Sequence, residues 1–131
     1  IPEDKLGQDE VLVFCSGKVY YDLTRARQDA QDQNQPGPQV SIVRLEQMYP
    51  FPEKDVKDVL KASSAKAIRW VQEEPVNQGA WQFVEDRFNA LLDGQRIEGV
   101  ARPESPSPAA GLSSIHKSEQ EDLIQRAFRN P

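Results

Sequence analysis

Ala67-Ile68-Arg69-Trp70-Val71-Gln72-Glu73-Glu74-Pro75-Val76-Asn77-Gln78-Gly79-Ala80-Trp81 is the stretch whose reading decides the fold. Ala67 to Val71 is rich in β-branched and aromatic residues and carries one charge, the composition of a buried strand. Glu73 and Glu74 fall where that strand leaves the sheet. Pro75 cannot donate to a ladder and drives Glu74 into an extended conformation, so the strand is predicted to end there. Asn77 can cap a helix beginning near Gly79. Trp81, Val84, Phe88, Leu91 and Leu92 then recur at helical spacing and give that helix one apolar face. The unit is strand, acidic turn, helix. In open α/β sheets such turns line the edge where ligands and partners sit.

Upstream, Val11-Leu12-Val13-Phe14-Cys15 is a short continuous apolar run, suited to a central parallel strand covered on both faces. Ser16-Gly17-Lys18 follows, and Val19, Leu23, Ala26 and Ala30 mark a helix. Free N–H groups at that helix start could receive an anion. Equally, Gly17 could simply permit the tight turn, since Lys18 lacks the GxxxxGK[ST] context of a P-loop. Residues 31–38 form a polar connection, and Val40, Ile42 and Val43 begin a second strand. Pro50 and Pro52 enforce an extended path through Tyr49 and Phe51, and Pro52 can occupy the first turn of a helix carrying Val56, Val59 and Leu60. Tyr49 and Phe51 are expected to pack in the core or at a domain interface.

Downstream, Asp93-Gly94 stops the helix and Ile97 to Ala101 is a weaker last strand, interrupted by Gly99. Pro103, Pro106 and Pro108 make residues 102–111 a non-helical strap. Ser118 and Glu121 read as a capping box, opening a last helix that buries Leu123, Ile124, Ala127 and Phe128. Alternation of strand and helix along the chain predicts a single domain over residues 1–131, an α/β sandwich with a largely parallel sheet.

The chain of 131 residues is 37% hydrophobic and 28% charged, with a net charge of −5. Its Lys and Arg form no stripe, which argues against nucleic acid as a partner. No apolar run approaches the roughly 20 residues of a membrane span, so no membrane role is expected. Cys15 is the only cysteine, which rules out an intrachain disulfide and fits a reducing compartment. The start at Ile1-Pro2-Glu3, without methionine, suggests a processed product or a domain of a longer polypeptide.

Chemistry is sparse. His116 is the only histidine and sits in a Ser-rich stretch before the last helix. Nothing local pairs it with Cys15 or Ser16, and a surface or loop-anchoring role is expected. One His and one Cys provide no metal-ligand spacing. Glu73 and Glu74 could act as acid and base, but neighbours at a strand end point apart. One is therefore expected to accept hydrogen bonds while the other meets solvent or a partner subunit. No catalytic, cofactor-binding or metal-binding residue is assigned. On its residues the chain reads as a binding or assembly domain.

Four blocks carry a resemblance. They are Phe14 through Leu23 (FCSGKVYYDL), Arg44 through Pro52 (RLEQMYPFP), Gln72 through Trp81, and Gly99 through Pro108. Together, in this order and over almost the whole chain, they resemble the C-terminal domain of 2-oxoglutarate dehydrogenase, the thiamine-diphosphate-dependent decarboxylating component. His116-Lys117 fits as well. In the last block Val100 and Ala101 separate Gly99 from Arg102, so only Arg102-Pro103 matches the family's arginine-proline pair.

The resemblance implies a transketolase C-terminal-like, three-layer α/β/α sandwich. Its five-stranded sheet would have one antiparallel edge strand, for which only residues 1–9 remain. It further implies an enzyme that decarboxylates 2-oxoglutarate and passes the succinyl group to a lipoyl-bearing succinyltransferase component. Thiamine diphosphate and magnesium would be held by preceding domains of the same chain, leaving the isolated fragment inactive. Implied partners are those domains and a homodimer mate; implied locations are bacterial cytoplasm or mitochondrial matrix. The strand ending at Cys15 would lie beside the strand ending at Gln72, creating an interface or effector crevice of Ser16, Gly17, Lys18, Glu73, Glu74 and Gln78. The effector would be a nucleotide or an acyl-CoA. The same blocks fit a 2-oxoadipate dehydrogenase relative, and a free-standing interaction module is the non-enzymatic alternative.

Overall fold

All five residues of β1 (Val11–Cys15) are buried, as a strand covered on both faces requires. The structure, a computed structural model, describes residues 6–103 and 113–131. After β1 the chain forms α1 (Val19–Asp32), β2 (Val40–Arg44), α2 (Glu53–Ala62), β3 (Ala67–Pro75), α3 (Trp81–Leu91), β4 (Glu98–Arg102) and α4 (Ser113–Ala127). Among the described residues the four strands make one parallel sheet in the order β2-β1-β3-β4. Cys15 lies between Arg44 and Val71 in register.

Strand alternation sorts the side chains into two layers. Val11, Val13 and Cys15 meet Val19 and Leu23 of α1 with Leu123 and Ala127 of α4. Leu12 and Phe14 point the other way, to Val56 and Val59 of α2 and Val84 and Phe88 of α3. The Phe14 and Phe88 ring centroids are 4.7 Å apart. The sheet is therefore covered on both faces by the chain's own helices, the expected three-layer sandwich. Arg69 ties the layers at one end. Its buried guanidinium donates to the carbonyls of Ala127 at 2.9 Å and Arg129 at 2.7 Å, capping the last turn of α4.

Several local expectations are corrected. The sheet has four strands among the described residues, not five. Residues 1–5 lie outside them, and Leu6 to Asp9 form a turn, not an edge strand. Buried Asp9 accepts hydrogen bonds from the Gly7 and Ser64 amides and from the hydroxyls of Ser63 and Ser64, so this segment is tied to the α2–β3 connection. β3 runs through Glu74 to Pro75, because a register shift between Val71 and Pro75 spares the ladder the missing N–H. α3 starts at Trp81 behind Ala80 with no side-chain cap, and Asn77 is in the preceding turn.

α4 already runs from Ser113, so Ser118 lies inside it and caps nothing, and His116 is on the helix, not in a loop. Tyr49, expected in the core or at a domain interface, is not in the core: it is 78% exposed and stacks on Phe83 at 5.3 Å. The strap beyond Pro103, residues 104–112, lies outside the described residues.

Candidate functional site

From β1 the chain passes by α1 to β2 on one side, then by α2 across to β3 on the other. Strand order thus reverses between β1 and β3, and their carboxyl ends open a crevice there. β1 ends into Ser16-Gly17-Lys18, where Gly17 has φ +81°, a left-handed conformation that a side chain would strain. This turn throws Lys18, the residue before α1, toward β3. Lys18 Nζ lies 2.9 Å from Glu73 Oε2, bridging the crevice. Glu73, by hydrogen bond and by charge, raises the Lys18 pKa above its ordinary value. The lysine side chain is 77% exposed, so the pair adds little stability and leaves the lysine accessible.

Behind this pair runs a polar chain that the sequence did not reveal. Gln120 of α4 donates from Nε2 to Asp22 Oδ2 at 3.0 Å and Glu73 Oε1 at 3.5 Å. Its Oε1 accepts from Arg102 Nη2 at 2.6 Å. Arginine can only donate and carboxylates can only accept, so the amide orientation follows from its neighbours. Arg102, 4% exposed, also meets His116 Nδ1 at 3.0 Å, which fixes that nitrogen as an acceptor. Two cations and two carboxylates are thus linked through one amide. Glu119, 4.0 Å from Arg102, adds a third carboxylate at the rim.

Gln72, nearly buried on the opposite face of β3, shapes the acidic turn. Its Oε1 accepts from Trp70 Nε1 at 3.0 Å. Its Nε2 donates to the carbonyls of Glu74, Pro75 and Gln78 at 3.3, 3.0 and 2.7 Å. Gly79, at φ +70°, closes the loop; a Cβ there would lie 3.1 Å from Gln72 Nε2.

Of the six residues expected in the crevice, the structure joins Lys18 directly to Glu73, and Ser16 and Gly17 supply the turn that does so. Glu74 is exposed, with its Cβ against the Gly79 loop, and Gln78 contributes its carbonyl to the Gln72 knot. Within the chain Glu73 takes a lysine and an amide. Asp22, Gln72, Arg102, His116 and Gln120 were missed as members. Gln72 carried one signal, a lone amide in an apolar run. Gln120 carried none, standing 47 residues from Glu73 and 98 from Asp22.

This edge does not fit thiamine diphosphate with its magnesium. Glu73 and Asp22 already accept from Lys18 and Gln120, and Arg102 is buried behind them. Among the described residues no three His, Cys, Asp or Glu side chains converge as metal ligands. The chemistry on offer is that of a contact surface: a bridged ion pair over a buried polar brace.

A parallel sheet covered by two helical layers, with its crevice at the β1/β3 switch, defines a transketolase-like α/β domain. A split-gene transketolase solved as an inactive β4 tetramer shares this fold. It matches with a TM-score of 0.63 over 91% of this chain and 37% of its own, at 11% identity.

Residues 3–128 match the family described as 2-oxoglutarate dehydrogenase C-terminal, and the chain belongs to that family. It is 42% identical over 119 residues to the 2-oxoglutarate dehydrogenase E1 component of Cupriavidus necator, covering 89% of this chain and 12% of that protein. With the E1 component of Haemophilus influenzae it shares 41% over 129 residues, covering 95% and 13%. With the mitochondrial 2-oxoglutarate dehydrogenase of Caenorhabditis elegans it shares 40% over 122 residues, covering 92% and 12%. The chain thus spans 12–13% of the length of these relatives.

Proposed function

We propose that this chain serves as the C-terminal assembly domain of a 2-oxoglutarate dehydrogenase E1 component. The complete enzyme would use thiamine diphosphate and magnesium, bound outside this domain, to decarboxylate 2-oxoglutarate and hand the succinyl group to a lipoyl-bearing partner component. The matching relatives are named for that enzyme, and their identity to this chain extends over nearly all of it. Within that enzyme the Lys18–Glu73 crevice meets a preceding domain or the dimer mate and helps close the active-site funnel; a nucleotide or acyl-CoA effector is a further candidate occupant. The carrying observation is the bridge itself. An exposed lysine and a mostly shielded glutamate span the switch point of the sheet, while Gln120 behind them is already engaged by Asp22 and Arg102.

The test is turnover of the complete parent polypeptide with thiamine diphosphate and magnesium. Efficient oxidation of 2-oxoglutarate, with the 131-residue chain alone inactive, is the expected result. Preference for 2-oxoadipate would assign the neighbouring specificity, and activity of the isolated chain would overturn the assembly role. Location in bacterial cytoplasm or mitochondrial matrix accompanies this reading; among the described residues no helix is long and apolar enough to cross a membrane.

A further inference from the structure

Arg44 ends β2, the edge strand of the sheet, on the face covered by α1. Its guanidinium carbon lies 5.9 Å from the Tyr20 ring centroid and 5.4 Å from that of Tyr21. The two rings meet edge to face, 5.4 Å apart. Nη1 donates to Tyr21 Oη at 3.1 Å, and the shielded Nε has no acceptor among the described residues. Arg102 Nε likewise has no acceptor among the described residues, so what sets Arg44 apart from the other sheet arginines is the missing carboxylate. Arg69 and Arg102 each meet a carboxylate and at least two further acceptors. Arg44 forms no ion pair among the described residues, although the chain as a whole is acidic.

The patch is chemically specific. A phenol oxygen that accepts from arginine still has its O–H to donate, so Arg44 and Tyr21 can both donate to one incoming acceptor. A planar guanidinium beside one hydroxyl matches the two coplanar oxygens of a carboxylate. Tyr21 is 54% exposed, and Arg25, four residues after it, shares its face of α1. Exposed tyrosine with arginine is a composition that protein interfaces favour. A guanidinium also pairs bidentately with phosphate, so inorganic phosphate is the comparison that the test must include.

We propose that Arg44 and Tyr21 form a carboxylate clamp that docks an acidic segment of another polypeptide. The site is separate from the Lys18–Glu73 crevice: it lies on the β2 side of β1, whereas Glu73 lies on the β3 side. The occupant's glutamate or aspartate sits against the guanidinium and accepts from the Tyr21 hydroxyl, while Arg25 adds positive charge on the same face of α1.

The test is a nuclear magnetic resonance titration of the chain with acetyl-Glu-Glu-Glu-amide, following the Arg44 Nε–H and Tyr21 amide signals. Acetyl-Gln-Gln-Gln-amide and inorganic phosphate at matched ionic strength are the comparison probes. The expected result is a saturable shift with the acidic peptide, about tenfold weaker binding in Arg44→Gln, and about threefold weaker binding in Tyr21→Phe, which keeps the ring. Lys54→Gln on the opposite helical layer should leave it unchanged. The proposal is overturned if the acidic peptide gives no saturation, if Arg44→Gln or Tyr21→Phe binds like the parent, or if phosphate or the glutamine peptide binds equally well.

Discussion

Gln72 stands in a strand of apolar neighbours, yet its side chain meets one indole N–H and three main-chain carbonyls. Gln72→Leu keeps the volume but removes the acceptor of the Trp70 N–H and a donor to the three carbonyls, which costs about 1–3 kcal/mol. The urea midpoint should fall and protease should cut within residues 73–79; an unchanged midpoint would mean the turn is held by its main chain alone. Cys15 makes the opposite point, a reactive group made inert. It is wholly buried, and desolvation pushes its thiol up from 9.0 to about 12, with Arg44 pulling weakly the other way. The folded chain then holds a proton that the unfolded chain releases above about pH 9. The stability this provides is complete below that pH and is lost as pH rises from 9 toward 12. Cys15 should resist a disulfide reagent at pH 8 and react on unfolding; rapid native reaction would contradict its burial. Burial of Cys15 was legible in its apolar run. The Gln120 brace was not, because hydrogen bonds across 98 residues leave no local pattern.

Elements whose signal is local were readable in outline: β1, β2, α1 and α2 stand where apolar period and Pro or Gly punctuation put them. Misreadings arose where a distant contact sets an end. β3 outruns its expected stop because Pro75 pairs opposite Arg102 across a bulge. α4 starts before Ser118, and Arg102 grips its early turns through His116 and Gln120. Gly99, read as a weakness in β4, has a packing reason, since a Cβ there would lie 2.7 Å from the Trp81 ring. Trp81 is half-buried over that glycine, so Gly99→Ala must displace the indole. A loss of about 1–3 kcal/mol is expected, the usual range for overpacking. Thermal unfolding measures it, and a stability equal to the parent would show that Trp81 moves freely. At the far end of the molecule, Arg69→Met removes the donors that cap α4. Amide exchange should quicken in the last turn of α4 before it changes in β1. Uniform loss of protection would make Arg69 part of the global core instead.

Both faces of the sheet are closed by helices of this chain, so it is expected to unfold in one cooperative step by circular dichroism and tryptophan fluorescence. Non-coincident transitions would mean that one layer depends on a missing neighbour. The three-layer architecture was legible because each strand-helix alternation fixes a parallel crossover. The expected fifth strand does not appear among the described residues, where Asp9 ties residues 6–9 to Ser63 and Ser64. The relatives are some eight times the length of this chain, on 12–13% coverage, and the proposed role of the crevice at the β1/β3 switch is contact with the rest of such an enzyme. The decisive measurement is the dimer dissociation constant and turnover of the complete polypeptide carrying Glu73→Gln, alongside the urea midpoint of the 131-residue chain with the same change. The exposed ion pair contributes little to folding, so the midpoint should hold, while dimer affinity or turnover falls about tenfold, which is about 1.4 kcal/mol. Parent-like dimerisation and turnover in Glu73→Gln would contradict an assembly role for the crevice and leave it a structural corner of the sheet.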